Sequence, residues 1–295
     1  MSTAPQATWR IGDRLITPNY PMVMGILNVT PDSFHAASRT DLDGALHLAE
    51  RMLMEGATIL DIGGASSRPG ATDPGPDEEI RRVLPVIEAI KQRFPDALLS
   101  VDTYHTKVAK AAVEAGAGMV NDIGAGILDP DMFPTMAQLN VPYVIMHMQG
   151  TPRTMQQDPH YKDVAAEVTL FLSTRMNAAH DAGIPDVVID PGFGFGKTTE
   201  HNFALLNSIQ RLTLLGAPVM VGLSRKRMIN EVLGTTPAQA LNGTTVLHTL
   251  ALNNGAAILR VHDVKEAVEC VKLVRACADP VNALSAFGGK GEHRS

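Results

Sequence analysis

The sequence predicts a single (β/α)8 barrel, and three observations carry that prediction. Eight short apolar runs rich in β-branched residues recur along the 295-residue chain. Segments with apolar side chains three or four residues apart separate most of them, the spacing of a helix with one buried face. Each run ends in a polar or charged residue. Strict alternation makes every helix the crossover to the next strand, so the sheet is parallel. Eight repeats of about 33 residues are ordinary βα units and suit a closed barrel of this length. A doubly wound open sheet is the rival, but Asn28-Val29-Thr30-Pro31 is not the glycine-rich phosphate turn such folds usually place after their first strand.

In chain order, the run 22–29 leads into helical spacing over 42–54, and 58–62 leads into 78–94. Run 98–101 is followed by 107–115, run 119–120 by 132–139, and run 143–146 by 164–182. Run 187–189 precedes 203–212, run 219–221 precedes 227–233 and 238–252, and run 257–261 precedes 264–277. No Pro/Ser-rich linker divides them. The expected organisation is therefore an N-terminal extension over 1–20, one barrel domain over 21–280 and a flexible tail over 281–295.

Composition narrows the class. Hydrophobic residues make up 45% and charged residues 19%, an ordinary globular balance that excludes a disordered or collagen-like chain. A formal charge of −6 argues against a general nucleic-acid or anionic-membrane binder, so an anionic ligand must be met locally. Cys270 and Cys277 would stand roughly 10 Å apart along a helix, too far for a disulfide. With no apolar stretch of spanning length, the reading is a cytoplasmic protein.

The strand ends carry the chemistry. They read Asn28, Asp61, Asp102, Asn121 with Asp122, His147, Asp190, Ser224 with Lys226, and Arg260 with His262. A (β/α)8 barrel gathers its strand C-termini at one mouth, where these groups would line one pocket. Any one of them could instead cap a helix or shape a turn. Asp102 and Asp190 follow almost wholly apolar runs, and a carboxylate there needs a specific donor to offset desolvation. The several N–H groups of a pterin ring would supply one, with Asn121 pairing along another edge. Pairing with Lys226 or with an arginine inside the mouth is the structural alternative.

Three segments suit an anion. Ser66-Ser67-Arg68-Pro69-Gly70 is a loop of small residues holding one arginine. Ser224-Arg225-Lys226 precedes a predicted helix, whose free N–H groups favour negative charge. Arg260 and His262 add two side chains on one face of a strand end. Gly192-Phe193-Gly194-Phe195-Gly196-Lys197 lacks the P-loop glycine at Pro191 and the Rossmann glycine at Lys197, so it reads as a βα loop placing Phe193 or Phe195 over a flat ring. No His/Cys cluster has zinc spacing. Mg²⁺ on a ligand's phosphates needs one or two protein oxygens, and Asn28 is a candidate donor.

Eight segments together resemble the dihydropteroate synthase family: Met24 to Phe34, Asp61-Ile-Gly-Gly with Ser67-Arg-Pro-Gly70, Ser100-Val-Asp-Thr103, Asn121-Asp-Ile123, Met146 to Gly150, Asp190 to Lys197, Ser224-Arg-Lys226 and Arg260-Val-His-Asp263. The resemblance runs in family order over about 21–277. It implies a (β/α)8 barrel, a homodimer and a sulfonamide target. The implied enzyme is a transferase of folate biosynthesis that joins 4-aminobenzoate to 6-hydroxymethyl-7,8-dihydropterin pyrophosphate with release of diphosphate. Carried onto matching positions, Asp102, Asn121, Asp190 and Lys226 resemble the pterin site. Asn28, Ser67, Arg68, Arg260 and His262 resemble the diphosphate contacts, with Asn28 the Mg²⁺ ligand. Ser67, Pro69, Phe195, Lys226 and Arg227 fall at the 4-aminobenzoate site, and Asp102, Arg68 and Lys226 are the expected catalytic groups.

The chain departs from the family at Ala36, where the first loop usually bears a carboxylate that Asp32 or Asp41 would have to replace. It departs again at Ala65-Ser66-Ser67, and at Arg227, where serine is common. A corrinoid-dependent methyltransferase or a non-catalytic pterin-binding paralogue is the alternative. The joint presence of Ser67-Arg68-Pro69, Lys226 and Arg260-Val261-His262 favours the synthase, because a methyltransferase has less use for a phosphate cradle.

Overall fold

The computed structural model describes residues 8–11, 14–30, 39–65 and 72–282. An antiparallel hairpin of β1 (Trp9–Ile11) and β2 (Arg14–Ile16) comes first, inside the segment expected as an extension. The eight barrel strands are β3 (Met22–Asn28), β4 (Ile59–Gly63), β5 (Leu98–Asp102), β6 (Met119–Asp122), β7 (Tyr143–Met146), β8 (Val187–Asp190), β9 (Met220–Val221) and β10 (Ile258–Val261). Their order is β8-β7-β6-β5-β4-β3-β10-β9, and every pairing is parallel. A parallel bridge from Ile189 to Val219 joins the two ends, with the Ile189 N–H donating to Pro218 O at 3.0 Å, so the sheet closes on itself. The expected barrel is the observed one.

Helices follow the strands in the expected order: α1 (Arg39–Met54), α2 (Pro76–Arg93), α3 (Thr106–Glu114), α4 (Met132–Leu139), α5 (Val164–Asp181), α6 (Thr199–Leu206), α7 (Ile209–Thr213), α8 (Arg227–Leu233), α9 (Leu241–Asn253) and α10 (Val264–Ala278). Boundaries move by up to three residues in most of them, and one helix differs more. The helix expected over 203–212 begins earlier, where the Thr198 hydroxyl accepts from the His201 N–H and His201 Nδ1 in turn accepts from the Thr198 N–H. It breaks before Ser208, whose hydroxyl donates back to Ala204 O at 2.9 Å, a local bond that competes with helix continuation.

Strand alternation divides the core in two. Residues pointing outward, such as Val23, Leu60, Leu99, Val120, Ile145, Ile189, Val221 and Leu259, pack under the helices. The inward set forms a separate apolar cluster of Met22, Met24, Ile59, Met119, Val144, Val188, Met220 and Ile258 at the N-terminal ends of the strands. Trp9 of β1 joins that cluster at 1% exposure and closes the base. Higher up, the same inward register delivers Asp61, Asp102, Asn121, Asp190 and Arg260. The two layers are thus apolar below and polar above.

His248 on α9 is buried, and its Nε2 has no partner among the described residues. Burial lowers its pKa from 6.5 to about 4, with Asp263 opposing. A group with a depressed folded pKa stabilises the fold above its unfolded value and loses that contribution as pH falls. Between pH 6.5 and 4 the chain should therefore lose about 2–3 kcal/mol of unfolding free energy relative to a His248→Leu variant. Urea unfolding at several pH values checks this; parallel curves would refute it. Among the described residues no helix is long and apolar enough to cross a membrane, and Cys270 and Cys277 are both free.

Candidate active site

Arg260 organises the mouth. From β10 its Nε donates to Asp61 Oδ2 at 2.6 Å and its Nη2 to Asp102 Oδ2 at 2.7 Å, so one guanidinium bridges the inward carboxylates of β4 and β5. Asn121 Nδ2 donates to the same Asp61 oxygen at 2.9 Å. The site is therefore a network in which Asp61, fully buried, anchors two of the expected ligand-facing residues. Burial pushes the Asp102 carboxyl up, the Arg260 charge opposes it, and Asp61, Asp122 and Asp190 add repulsion. Burial disfavours the Arg260 charge, but Asp61, Asp102 and Asp190 outweigh it, raise the pKa and keep the guanidinium cationic.

The arginine pairing foreseen as the structural alternative for Asp102 is thus present. It leaves Nη1 of Arg260 without a described partner. That nitrogen remains for the anionic ligand expected there.

Asn28 ends β3 beside the end of β4. A Cβ at Gly63 would lie 3.3 Å from Asn28 Oδ1 and 3.6 Å from Asp102 Cβ, so the missing side chain is what lets both groups converge there. Asp102 and Ile123 also border a cavity of about 360 Å³ shared with Glu79, Tyr104, His105 and Arg153, within the size range of small-molecule sites. Asn121, Asp190 and Lys226 are not among the residues lining it.

Asp190 ends β8. Its Oδ1 accepts from the Gly192 N–H at 2.7 Å, and its Oδ2 has no described partner. Burial raises its pKa, while the Gly192 bond and the charges of Lys226, Arg260 and Lys197 lower it. Lys226, at the N-cap of α8, holds Nζ 4.6 Å from the Phe195 ring centroid in a cation–π contact. Burial lowers Lys226 to about 8, with Asp190 acting in the other direction. Phe193, the other ring candidate, is buried in the helix-side core, so only Phe195 remains beside the mouth.

The residues expected around the anionic groups of the ligands separate into four sets. His262 is joined to Ser224 by two contacts, its N–H donating to Ser224 Oγ at 3.2 Å and its Nδ1 lying 3.1 Å from the same oxygen. Arg225 points elsewhere: at φ 56° it sits in the left-handed region and clasps Asp263 through Nε at 2.8 Å and Nη2 at 2.7 Å. That clasp, with the Arg225 N–H donating to Thr244 Oγ1 at 3.0 Å, sets the turn that presents Ser224 and Lys226. Arg227 is 78% exposed and paired with Glu231 one turn along α8. Ser67, Arg68 and Pro69, like Asp32 and Ala36, lie outside the described residues, as does the side chain of Asp41.

The roles of five residues are not legible in the sequence. Asp61 was seen only as a strand end, although a charge flanked by leucine and isoleucine signals an inward partner. Asp122 proved a turn former, accepting from the N–H groups of Gly124 and Gly126 at 2.6 and 2.7 Å and from the Tyr143 hydroxyl. The Arg225 and Asp263 clasp had no local signal. Nor had Gly192, where φ is 69° and an added Cβ would fall 1.9 Å from His147 O. A Gly192→Ala variant should lose about 3 kcal/mol or more of stability, because both the clash and the backbone conformation oppose it. Thermal unfolding reads this, and an unchanged midpoint would contradict the geometry.

The family model described as "Pterin binding enzyme" matches residues 24–262. Dihydropteroate synthase of Escherichia coli (strain K12) is 43% identical over 261 residues, 88% of this chain and 92% of that protein. The structure of dihydropteroate synthase from Xanthomonas albilineans in complex with 7,8-dihydropteroate superposes with a TM-score of 0.82 at 43% identity, covering 92% of this chain and 99% of that one. The Yersinia pestis enzyme in complex with a sulfonamide drug gives a TM-score of 0.86 at 41% identity, over 92% and 99% of the two chains. With matched segments that include every strand-end residue of the mouth, the chain belongs to the pterin binding enzyme family.

Proposed function

We propose that this chain catalyses the dihydropteroate synthase reaction, condensing 6-hydroxymethyl-7,8-dihydropterin pyrophosphate with 4-aminobenzoate. The observation that carries this reading is the Asp61, Arg260, Asp102 and Asn121 network beside Asp190 and Lys226, in a chain whose curated relatives bear that name. Asp190 Oδ2 and the Asn121 side chain present an acceptor and an amide to the ring, and Lys226 closes one side against Phe195. Asp102 stands where positive charge would develop on the pterin methylene. A fixed carboxylate in a water-poor site stabilises such charge without reorganising.

The C–O bond to the diphosphate breaks and its electron pair leaves with the diphosphate. The aniline nitrogen then bonds the methylene carbon and releases its proton to solvent. No protein nucleophile enters this sequence. His262 and Arg260 Nη1 face the departing anion, with Ser67 and Arg68 assigned there as well. Pro69 and Phe195 hold the aminobenzoate ring, and Arg227 is assigned to its carboxylate although Glu231 holds it here.

Mg²⁺ fits these residues. The Asn28 amide oxygen is a hard neutral donor, and an ion held mainly by phosphates requires no cage of protein carboxylates. Bound to the diphosphate, the ion would neutralise charge on the leaving group.

Four exposed apolar side chains support a homodimer: Leu233 at the end of α8, Val246 and Leu250 one turn apart on α9, and Leu273 on α10. A Leu250→Glu/Leu273→Glu variant should halve the mass seen by light scattering. A cytoplasmic location suits the substrates.

The test is diphosphate release from the pterin substrate with Mg²⁺, with and without 4-aminobenzoate. Release that requires the aminobenzoate and yields dihydropteroate supports the synthase. Pterin binding without release would mean a binding paralogue, and methyl transfer from methyltetrahydrofolate would mean the related transferase.

A further inference from the structure

Lys197 is the most deeply buried ammonium near the mouth, at 4% exposure, and the reaction as derived above does not use it. Its Nζ lies 2.9 Å from His147 Nδ1, 2.9 Å from Gly192 O, 3.0 Å from Phe195 O and 3.3 Å from His147 O. All four neighbours accept, which is an environment for the charged form, since an ammonium offers three donors and no acceptor. Desolvation pulls the other way and lowers Lys197 to about 7, with Asp190 opposing and Lys226 reinforcing. His147 is held neutral, its pKa lowered to about 3 by burial and then by Lys197, so Nδ1 is the lone-pair nitrogen.

The geometry around Gly192 connects this ammonium to the mouth. Lys197 grips the carbonyl of Gly192 while Asp190 Oδ1 grips its N–H at 2.7 Å. That backbone unit lies so close to His147 O that no side chain fits. Movement of residue 192 would therefore carry the Asp190 carboxylate with it. The same ammonium holds Phe195 O, and Phe195 is the ring under Lys226. One charge thus ties together the end of β7, the end of β8 and the loop between β8 and α6.

We propose that Lys197 is a positioning residue for pterin recognition: by fixing Gly192 it commits one oxygen of Asp190 to the backbone and aims the other at the N–H edge of the ring. This rests on the pterin site read above. Asp190 is otherwise a buried carboxylate at the end of β8, held only by the glycine-rich loop that follows it. With Lys197 in place it has one orientation, and its second oxygen is left for ligand.

The proposal separates from a general structural role by a double-mutant cycle. Binding of unphosphorylated 6-hydroxymethyl-7,8-dihydropterin would be titrated calorimetrically to the unaltered chain and to the Lys197→Met, Asp190→Asn and doubly substituted chains. Each single change is expected to weaken binding about tenfold or more. The double change should be within about threefold of Asp190→Asn alone, because residues acting through one another are not additive.

Losses that multiply would overturn the proposal, as would Lys197→Met binding the dihydropterin normally. Should the methionine variant fail to fold, Lys197→Gln keeps a donor on a side chain one atom shorter, without the charge, and enters the same cycle. If the unaltered chain did not bind the dihydropterin at all, the pterin reading itself would fall, an outcome distinct from additive losses.

Discussion

An Asp102→Asn variant is expected to fold normally and to turn over about 100- to 1000-fold more slowly, the scale seen when a preorganised electrostatic group is removed from a developing charge. Asparagine keeps the shape of the side chain and an oxygen for Arg260 Nη2, which now sits 2.7 Å from Asp102 Oδ2. What disappears is the negative charge. Asp61 remains paired with Arg260 Nε, so the guanidinium is not released into the mouth. Steady-state kinetics should show the larger part of the loss in kcat, because the cation forms only along the reaction coordinate. Near-normal turnover would remove Asp102 from the mechanism and leave it a partner of Arg260 only.

Removing the cation instead should unfold the mouth. An Arg260→Met variant leaves Asp61, fully buried, with only the Asn121 amide as a donor among the described residues, and takes from Asp102 beside it its hydrogen-bonded counter-charge. Stranding a buried carboxylate in this way costs about 3–5 kcal/mol. The deficit should also depend on pH in a defined direction. Burial already raises the Asp102 carboxyl to about 7 with Arg260 opposing, and loss of Arg260 raises it further, so the folded variant holds that proton to higher pH than the unaltered chain does. The penalty is then smallest at acid pH and grows as pH rises through the folded value. Chemical unfolding at pH 5 and pH 8 measures it; an equal deficit at both, or a deficit under 1 kcal/mol, would contradict the network. An Asp61→Asn/Arg260→Met double variant should recover part of the stability and none of the activity.

These outcomes depend on which parts of the site the chain announces locally and which it does not. The strands and most helices were legible because each is a local pattern: a short apolar run ending in a polar group, or an apolar spacing of three and four. Asp102, Asn121, Asp190, Lys226 and Arg260 were legible because polar residues at the ends of apolar runs have few places to go in a barrel. The break before Ser208 was less legible, since it depends on a hydroxyl turning back onto its own helix.

By itself the sequence determined the eightfold βα alternation, the set of groups that meet at the mouth, and the family. Only the tertiary structure decided who pairs with whom. Arg260 is 199 residues from Asp61 and 158 from Asp102, and the Arg225 and Asp263 clasp spans 38. Such pairings are set by strand register and closure of the sheet, which place distant inward side chains a few ångströms apart. The same closure separates Arg227, turned to solvent with Glu231, from Lys226 one residue earlier, turned to Phe195. Neighbouring positions in the chain carry no mark of which way a helix start will face. That direction follows from the packing of α8 against the barrel, a property of the whole fold.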